Sequence, residues 1–209
     1  PLPLAVSGAV RFKDQAQFSP LEFISKLSKG LTIYEHTKIT QLIGTKALTN
    51  GGTIDAKKII VATHFPFINK HGAYFMKMYQ QRSYVIAVEN AQNVGGMYID
   101  AAEGGLSFRN CKEHRTGKQS TAWNELRDFA RKNYPGSNEK YHWATQDCMT
   151  LDGAPYIGNY SSATPDMYVA TGFNKWGMTS AMVAAQILCD LITGRKKDSF
   201  NVFSPSRTI

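Results

Sequence analysis

The chemically most suggestive stretch of the chain runs from Asp166 to Gly194. Strand formers at 166–171 lead into the turn Gly172-Phe173-Asn174-Lys175-Trp176-Gly177. A helical pattern over 177–193 then ends at Gly194. A strand that feeds a helix this way leaves backbone N–H groups at the helix N-terminus for an electron-rich partner, phosphate being the common one. GFNKWG is neither G-x-x-x-x-G-K-[ST] nor G-x-G-x-x-G, so neither phosphate motif is present. The same residues also suit a tight turn that merely needs glycine at Gly172 and Gly177. Cys111, Cys148 and Cys189 are odd in number, far apart and without C-x-x-C. They argue against a disulfide framework or a zinc site and fit reduced thiols in a cytoplasmic protein. Cys189 falls on the helical pattern and is expected in the core.

Other elements must position this stretch. A strand is expected over 8–13, then a helix over 20–29 with Ser19 as N-cap, Pro20 at the first position and Leu21, Ile24 and Leu27 in one stripe. Short strands follow at 31–36, 38–43, 45–49, 53–55 and 58–62, with Asn50-Gly51-Gly52 as a hairpin signal. Lys58–Ala62 alternates little and reads as a strand buried on both faces. In the strand at 79–88, alternation places Arg82, Tyr84, Ile86 and Val88 on one face. Strands at 96–101 and 105–111 put Ser107 and Arg109 opposite Leu106 and Phe108. EHRTGKQS reads as a polar loop, 121–133 as a helix, 140–149 as a strand and TLDGAPYIG as turn-rich. On the last helix, Met178, Ala181, Met182, Ala185, Leu188 and Ile192 form the apolar stripe.

The 209 residues carry 24 Lys and Arg against 16 Asp and Glu, a net charge of +8. The charges are scattered, apart from Arg195-Lys196-Lys197, and there is no RNP-like motif, helix-turn-helix or basic stripe with interleaved aromatics. A solvated surface accounts for them better than a basic anion- or nucleic-acid-binding module, although that alternative and a non-catalytic interaction domain stay open. No apolar run approaches the roughly 20 residues of a membrane span.

Four segments, QAQFSP, KKIIVATHFP, TLDGAPYIGNY and YVATGFNKWGMTSAMVAAQILCDLITG, together resemble the second half of flavoproteins of the D-amino acid oxidase and glycine oxidase superfamily. HRTGK and VFSPSR resemble its bacterial subgroup with a C-terminal Rieske domain. The resemblance implies an α+β fold: a mainly antiparallel, mixed-sheet substrate-binding domain with a few helices, plus a C-terminal strand-turn-helix of the FAD domain. It divides the chain into a strand-helix-meander at the FAD-domain edge (1–62), a substrate-binding region (63–150) and a flavin-contacting segment (151–209).

The resemblance also implies roles. Ile39 lies on the strand near the adenine, Ala62, Thr63 and His64 lie by the adenosine, and Asp152 is in the turn beside the flavin. Gly172, Phe173, Asn174, Lys175, Trp176, Gly177 and Met178 form the loop and helix start under the pyrimidine ring, where the helix dipole would stabilise charge at N1 and O2. The implied reaction is oxidation of a C–N bond of an amine or amino acid by hydride transfer to FAD, a step that needs alignment. A substrate carboxylate would want a bidentate arginine. Arg109 is the first candidate, then Arg82 and Arg115, with Tyr79 or Tyr84 as partners and His114 as a base. The family's G-x-G-x-x-G is absent and no Rieske pattern of Cys and His follows Ser206. The chain is therefore expected to be a fragment, inactive and without retained FAD, with a 2Fe-2S cluster in a further domain. Its missing partner is a dinucleotide-binding domain, and exposed apolar surface makes self-association an expectation.

Overall fold

The computed structural model describes residues 2, 5–68, 71–101, 105–110, 116–120, 123–195 and 198–207, with the side chains of 116–120 and 198–199 left aside. His114, Arg115 and Cys111 lie outside the described residues. Among those described are three α-helices and eleven strands in three sheets, an α+β fold.

Helix α1 spans Pro20–Leu27, with the Ser19 hydroxyl accepting from Glu22 N at 3.4 Å and proline in the first turn. A meander follows, β1 (Ile39–Ile43), β2 (Lys46–Thr49) and β3 (Gly52–Asp55), paired antiparallel in that order. Residues 8–13 and 31–36 form no strand. Val10, Phe12, Leu31 and Ile33 stay exposed there, and strand propensity without a neighbour to pair with does not build a strand.

The second sheet has the order β10 (Tyr156–Asn159), β11 (Met167–Thr171), β4 (Ile59–Val61). Strand β11 runs antiparallel to β10 and parallel to β4, and all five of its residues are buried. Its alternate side chains feed two cores. Met167 and Val169 join Val61, Tyr74, Tyr156 and Tyr160 on one face. Tyr168 and Ala170 join Ile187 and Leu188 of helix α3 (Gly177–Ile192) on the other. Burial on both faces therefore belongs to the central β11 rather than β4, which is one of the two edge strands: Ile60 is 47% exposed while Val61 is 3%.

The third sheet is antiparallel, in the order β6 (Met97–Ile99), β7 (Ser107–Asn110), β8 (Thr116–Ser120), β5 (Met78–Glu89), β9 (Asn138–Thr150). Helix α2 (Trp123–Asn133) packs on one face, where Leu126 and Ala130 meet Ile86 and Val88. Trp123 stands edge-on to both Tyr84 and His142, whose strands flank each other there. The expected face of Arg82, Tyr84, Ile86 and Val88 is thus the helix-covered one. Strand β8 occupies part of the segment read as a polar loop. Its partners on both sides, β5 and β7, supply the pairing that its polar residues do not advertise.

Candidate active site

The two smaller units of the site meet the large sheet at the outer edge of β9. Strand β9 pairs with β5 on one side only. On the other, His64 Nε2 donates to the Gln146 carbonyl at 2.5 Å and Asn174 N donates to the Cys148 carbonyl at 3.0 Å. Thr150 N donates to Asn174 Oδ1 at 2.9 Å. Every second residue of the strand's last stretch is therefore claimed by one of two loops, 63–65 or 172–176. An edge strand needs such cover.

Both loops have unusual backbones. His64 and Asn174 sit at φ 64° and 52°. The His64 carbonyl accepts from the buried Thr171 hydroxyl, which locks the end of β4 to the end of β11. Asn174 uses its whole amide: besides the Thr150 contact, Nδ2 donates to the Gly153 carbonyl at 3.0 Å. This side chain is a clasp between the loop, β9 and the 151–155 turn. Gly172, at φ 69°, is irreplaceable, because a Cβ would lie 2.4 Å from Thr150 Cγ2 and 3.1 Å from Met78 Sδ. Gly177 is different. Its φ is ordinary and a Cβ would meet only Phe173 Cβ at 4.0 Å, so the expected need for glycine holds at one of the two positions.

Helix α3 starts with Trp176 as N-cap and no side chain capping it, which leaves its first N–H groups to a partner outside the helix. Lys175, Trp176 and Met178 are exposed around that end and Phe173 packs into the core under it. The apolar stripe predicted for α3 is mostly outward: Met178 and Met182 are exposed, and Ala184, Ile187 and Leu188 face the sheet. Cys189 is exposed, contrary to expectation, while Cys148 is buried. The helix is apolar nearly all round, so periodicity alone does not choose the packed side. Burial pushes the Cys148 thiol pKa up, with the nearby Asp147 carboxylate adding to it.

The turn beside this loop is held by a residue that sequence reasoning did not single out. Arg207 Nε and Nη2 donate to Asp152 Oδ2 and Oδ1 at 2.6 and 2.8 Å. Its guanidinium also donates to the Ala154 and Pro155 carbonyls and stacks 3.8 Å from the Tyr156 ring centroid. Charge-assisted hydrogen bonding from Arg207 holds the Asp152 carboxyl down at about 2. Asp152 is thus fully engaged by the C-terminal segment. Lys77 Nζ, donating to the Pro205 carbonyl at 2.8 Å, fastens the same segment from the other side.

Of the remaining candidates, Ile39 is half-buried opposite Thr49 in the meander, and Ala62 and Thr63 are exposed at the end of β4. Arg82, beside Gln146, and Arg109, beside Met97 and Gly117, are both exposed but on opposite faces of the large sheet. Arg82 shares the α2 face with Tyr84. Arg109 shares the open face with Tyr79, but its lateral neighbour on β5 is Ala87, roughly 26 Å along that strand from Tyr79. The structure does not bring the two arginines together. No cluster of three metal-ligating side chains occurs among the described residues.

The FAD dependent oxidoreductase family matches residues 1–191, and the chain belongs to that family. The chain is 34% identical, over 235 aligned residues, to a Bacillus subtilis protein named as a Rieske 2Fe-2S iron-sulfur protein, YhfW. That match takes in 99% of this chain and 46% of the relative, so the chain spans about half its length. Among solved structures, glycine oxidase from Bacillus cereus superposes with a TM-score of 0.69 at 18% identity, over 89% of this chain and 57% of that one. L-proline dehydrogenase from P. horikoshii gives 0.69 at 19%, over 88% and 57%. These likenesses establish a shared fold. No described helix is long and apolar enough to cross a membrane.

Proposed function

We propose that these residues form the substrate-side and flavin-contacting part of an enzyme that oxidises a C–N bond of an amine or amino acid. The observation that carries the reading is the junction at β9. There, the strand ends assigned to the adenosine (Ala62–His64) and the loop assigned to the flavin ring (Gly172–Met178) are hydrogen-bonded to one strand of the large sheet. The uncapped N-terminus of α3 and a loop too tight for any residue but glycine at Gly172 fit the electron-rich pyrimidine edge of a flavin. When bound, FAD would take up the hydride as the substrate C–H bond breaks and the nitrogen lone pair forms the C=N bond. The chain's residues would contribute alignment of the substrate and a helix dipole for the flavin's electron-rich edge.

The FAD pyrophosphate would be held by residues outside this sequence, which contains no G-x-G-x-x-G. The 209 residues alone would bind no stoichiometric flavin and turn over no substrate. The naming of the Bacillus relative favours a 2Fe-2S cluster as the electron acceptor, carried outside these residues in a cytoplasmic protein. The test is reconstitution with a dinucleotide-binding region, followed by anaerobic reduction with amines and amino acids. Flavin binding with bleaching by one of them is the expected result. A reconstituted protein with no flavin spectrum, or flavin that no such compound reduces, would overturn the reading.

A further inference from the structure

The open face of the large sheet carries a carboxylate where the site is tied together. In β9, Gln146, Cys148 and Thr150 are the residues whose backbones the two loops grip, and Asp147 lies between them. Its register partner is Gln81, and the face it occupies is the one opposite Arg82, Tyr84 and helix α2. Ser83, only 2% exposed, donates its hydroxyl to Asp147 Oδ2 at 3.0 Å. A buried hydroxyl spent in this way fixes the carboxylate's orientation. Among the described residues no cation pairs with Asp147.

Register and alternation put Tyr79, Trp143 and Tyr141 on the same face. Tyr79 is diagonal to Asp147 across the pair of strands, and Trp143 and Tyr141 lie four and six residues back along β9, roughly 13 and 20 Å away. All three are large aromatics with much of their surface exposed, at 51%, 42% and 49%. An oriented carboxylate with the Tyr79 ring as its diagonal neighbour attracts a cation twice, by charge and by ring quadrupole. It repels a carboxylate. The one described arginine on this face, Arg109, lies at the far end of the sheet.

We propose that Asp147 is a specificity-determining residue of this site: it receives a positively charged group of the substrate, with Tyr79 beside that group. The substrate class is then a cationic amine, such as a diamine or an alkylammonium compound, and not an amino acid anchored through its carboxylate. This deepens the amine-oxidising reading above and rests on it for the word substrate, but the cation site itself needs no flavin. It can therefore be tested on the 209-residue chain.

The probes are 1,4-diaminobutane and tetramethylammonium, with glycine and acetate as controls, titrated while backbone amide NMR shifts are followed. Saturable shifts at Asp147, Ser83 and Tyr79 are expected with the two cations and none with the controls. Asp147→Asn should weaken 1,4-diaminobutane binding about tenfold, the loss of one charge-assisted contact. Asp147→Glu should restore part of it, and circular dichroism melts of each variant report folding separately. Equal binding by wild type and Asp147→Asn, shifts confined to other surfaces, or no saturable shift in the wild type would each overturn the proposal while leaving flavin binding by the reconstituted protein unaffected. Absence of flavin in that protein would, conversely, leave the cation site standing.

Discussion

Arg207 and Asp152 meet through both carboxylate oxygens, and the pair closes the C-terminal segment onto the turn that precedes β10. The Arg207 side chain is 12% exposed and that of Asp152 26%, so the contact is partly shielded from solvent. The turn in turn supplies Gly153, whose carbonyl accepts from Asn174. Arg207, two positions beyond the Pro205 carbonyl that Lys77 holds, and Asn174 of the 172–176 loop are thereby linked through the 152–153 turn.

Arg207→Ala should lower unfolding free energy by about 2 kcal/mol, because it strips a carboxylate and three carbonyls, those of Ala154, Pro155 and Ser204, of their donor. Urea denaturation measures this. Asp152→Asn should cost less alone, and the double variant should show that the two effects are not additive. The pH dependence has a definite sign. The folded Asp152 pKa is depressed to about 2 from 3.8. Its contribution is fully present above pH 4 and is lost as pH falls from there toward 2. Wild type and Arg207→Ala should therefore converge in stability across that window.

Gly172→Ala should destabilise by about 3 kcal/mol or abolish folding, through the collision with Thr150 and the positive φ. Gly177→Ala should be neutral or stabilise by about 0.5 kcal/mol, since it replaces glycine in a helix where space is available. Thermal melts of the two variants separate a glycine required by geometry from one that is not.

Asn174→Ala should release both Thr150 N and the Gly153 carbonyl. A loss of about 1–2 kcal/mol is expected. Hydrogen exchange should quicken at Thr150 and in the 172–176 loop while β5 and β11 stay protected.

Helix α1 presents Leu21, Ile24 and Leu27 to solvent, and Met182 of α3 is exposed as well. Phe18, Phe23, Met178 and Met182 line a groove of about 450 Å³ between the two helices. Sedimentation velocity should show concentration-dependent self-association, and Leu21→Ser with Ile24→Ser should reduce it. Because these side chains are already exposed, unfolding free energy should change by less than about 0.5 kcal/mol.

The sequence made most elements legible wherever period and punctuation agreed. Ser19-Pro20 marked the start of α1, Asn50-Gly51-Gly52 the β2–β3 turn, and alternation in β5 the face that α2 covers. It failed where pairing outweighs composition. Strand β8 is polar, and β10 sits in a segment dense with turn residues, yet both are held by the strands they pair with. The site was legible as a loop, not as a set of faces. Arg82 and Arg109 are similar as residue types, and only the strand register separates them by the thickness of the sheet. Asp147 needed the same information, although its period-two relation to Trp143 and Thr145 was the available signal. Arg207 could not be foreseen, because its partner is 55 residues away in the chain.

The outer edge of β9 has one more consequence. Loops 63–65 and 172–176 plug only its last stretch, and no described strand pairs with 138–145 on that side. Loosening either loop would lengthen the stretch of β9 edge that no described strand covers. The contacts that assemble the site are thus also what keeps the chain from templating stacked, cross-strand aggregates. Variants that damage the loops should be recognised first by turbidity.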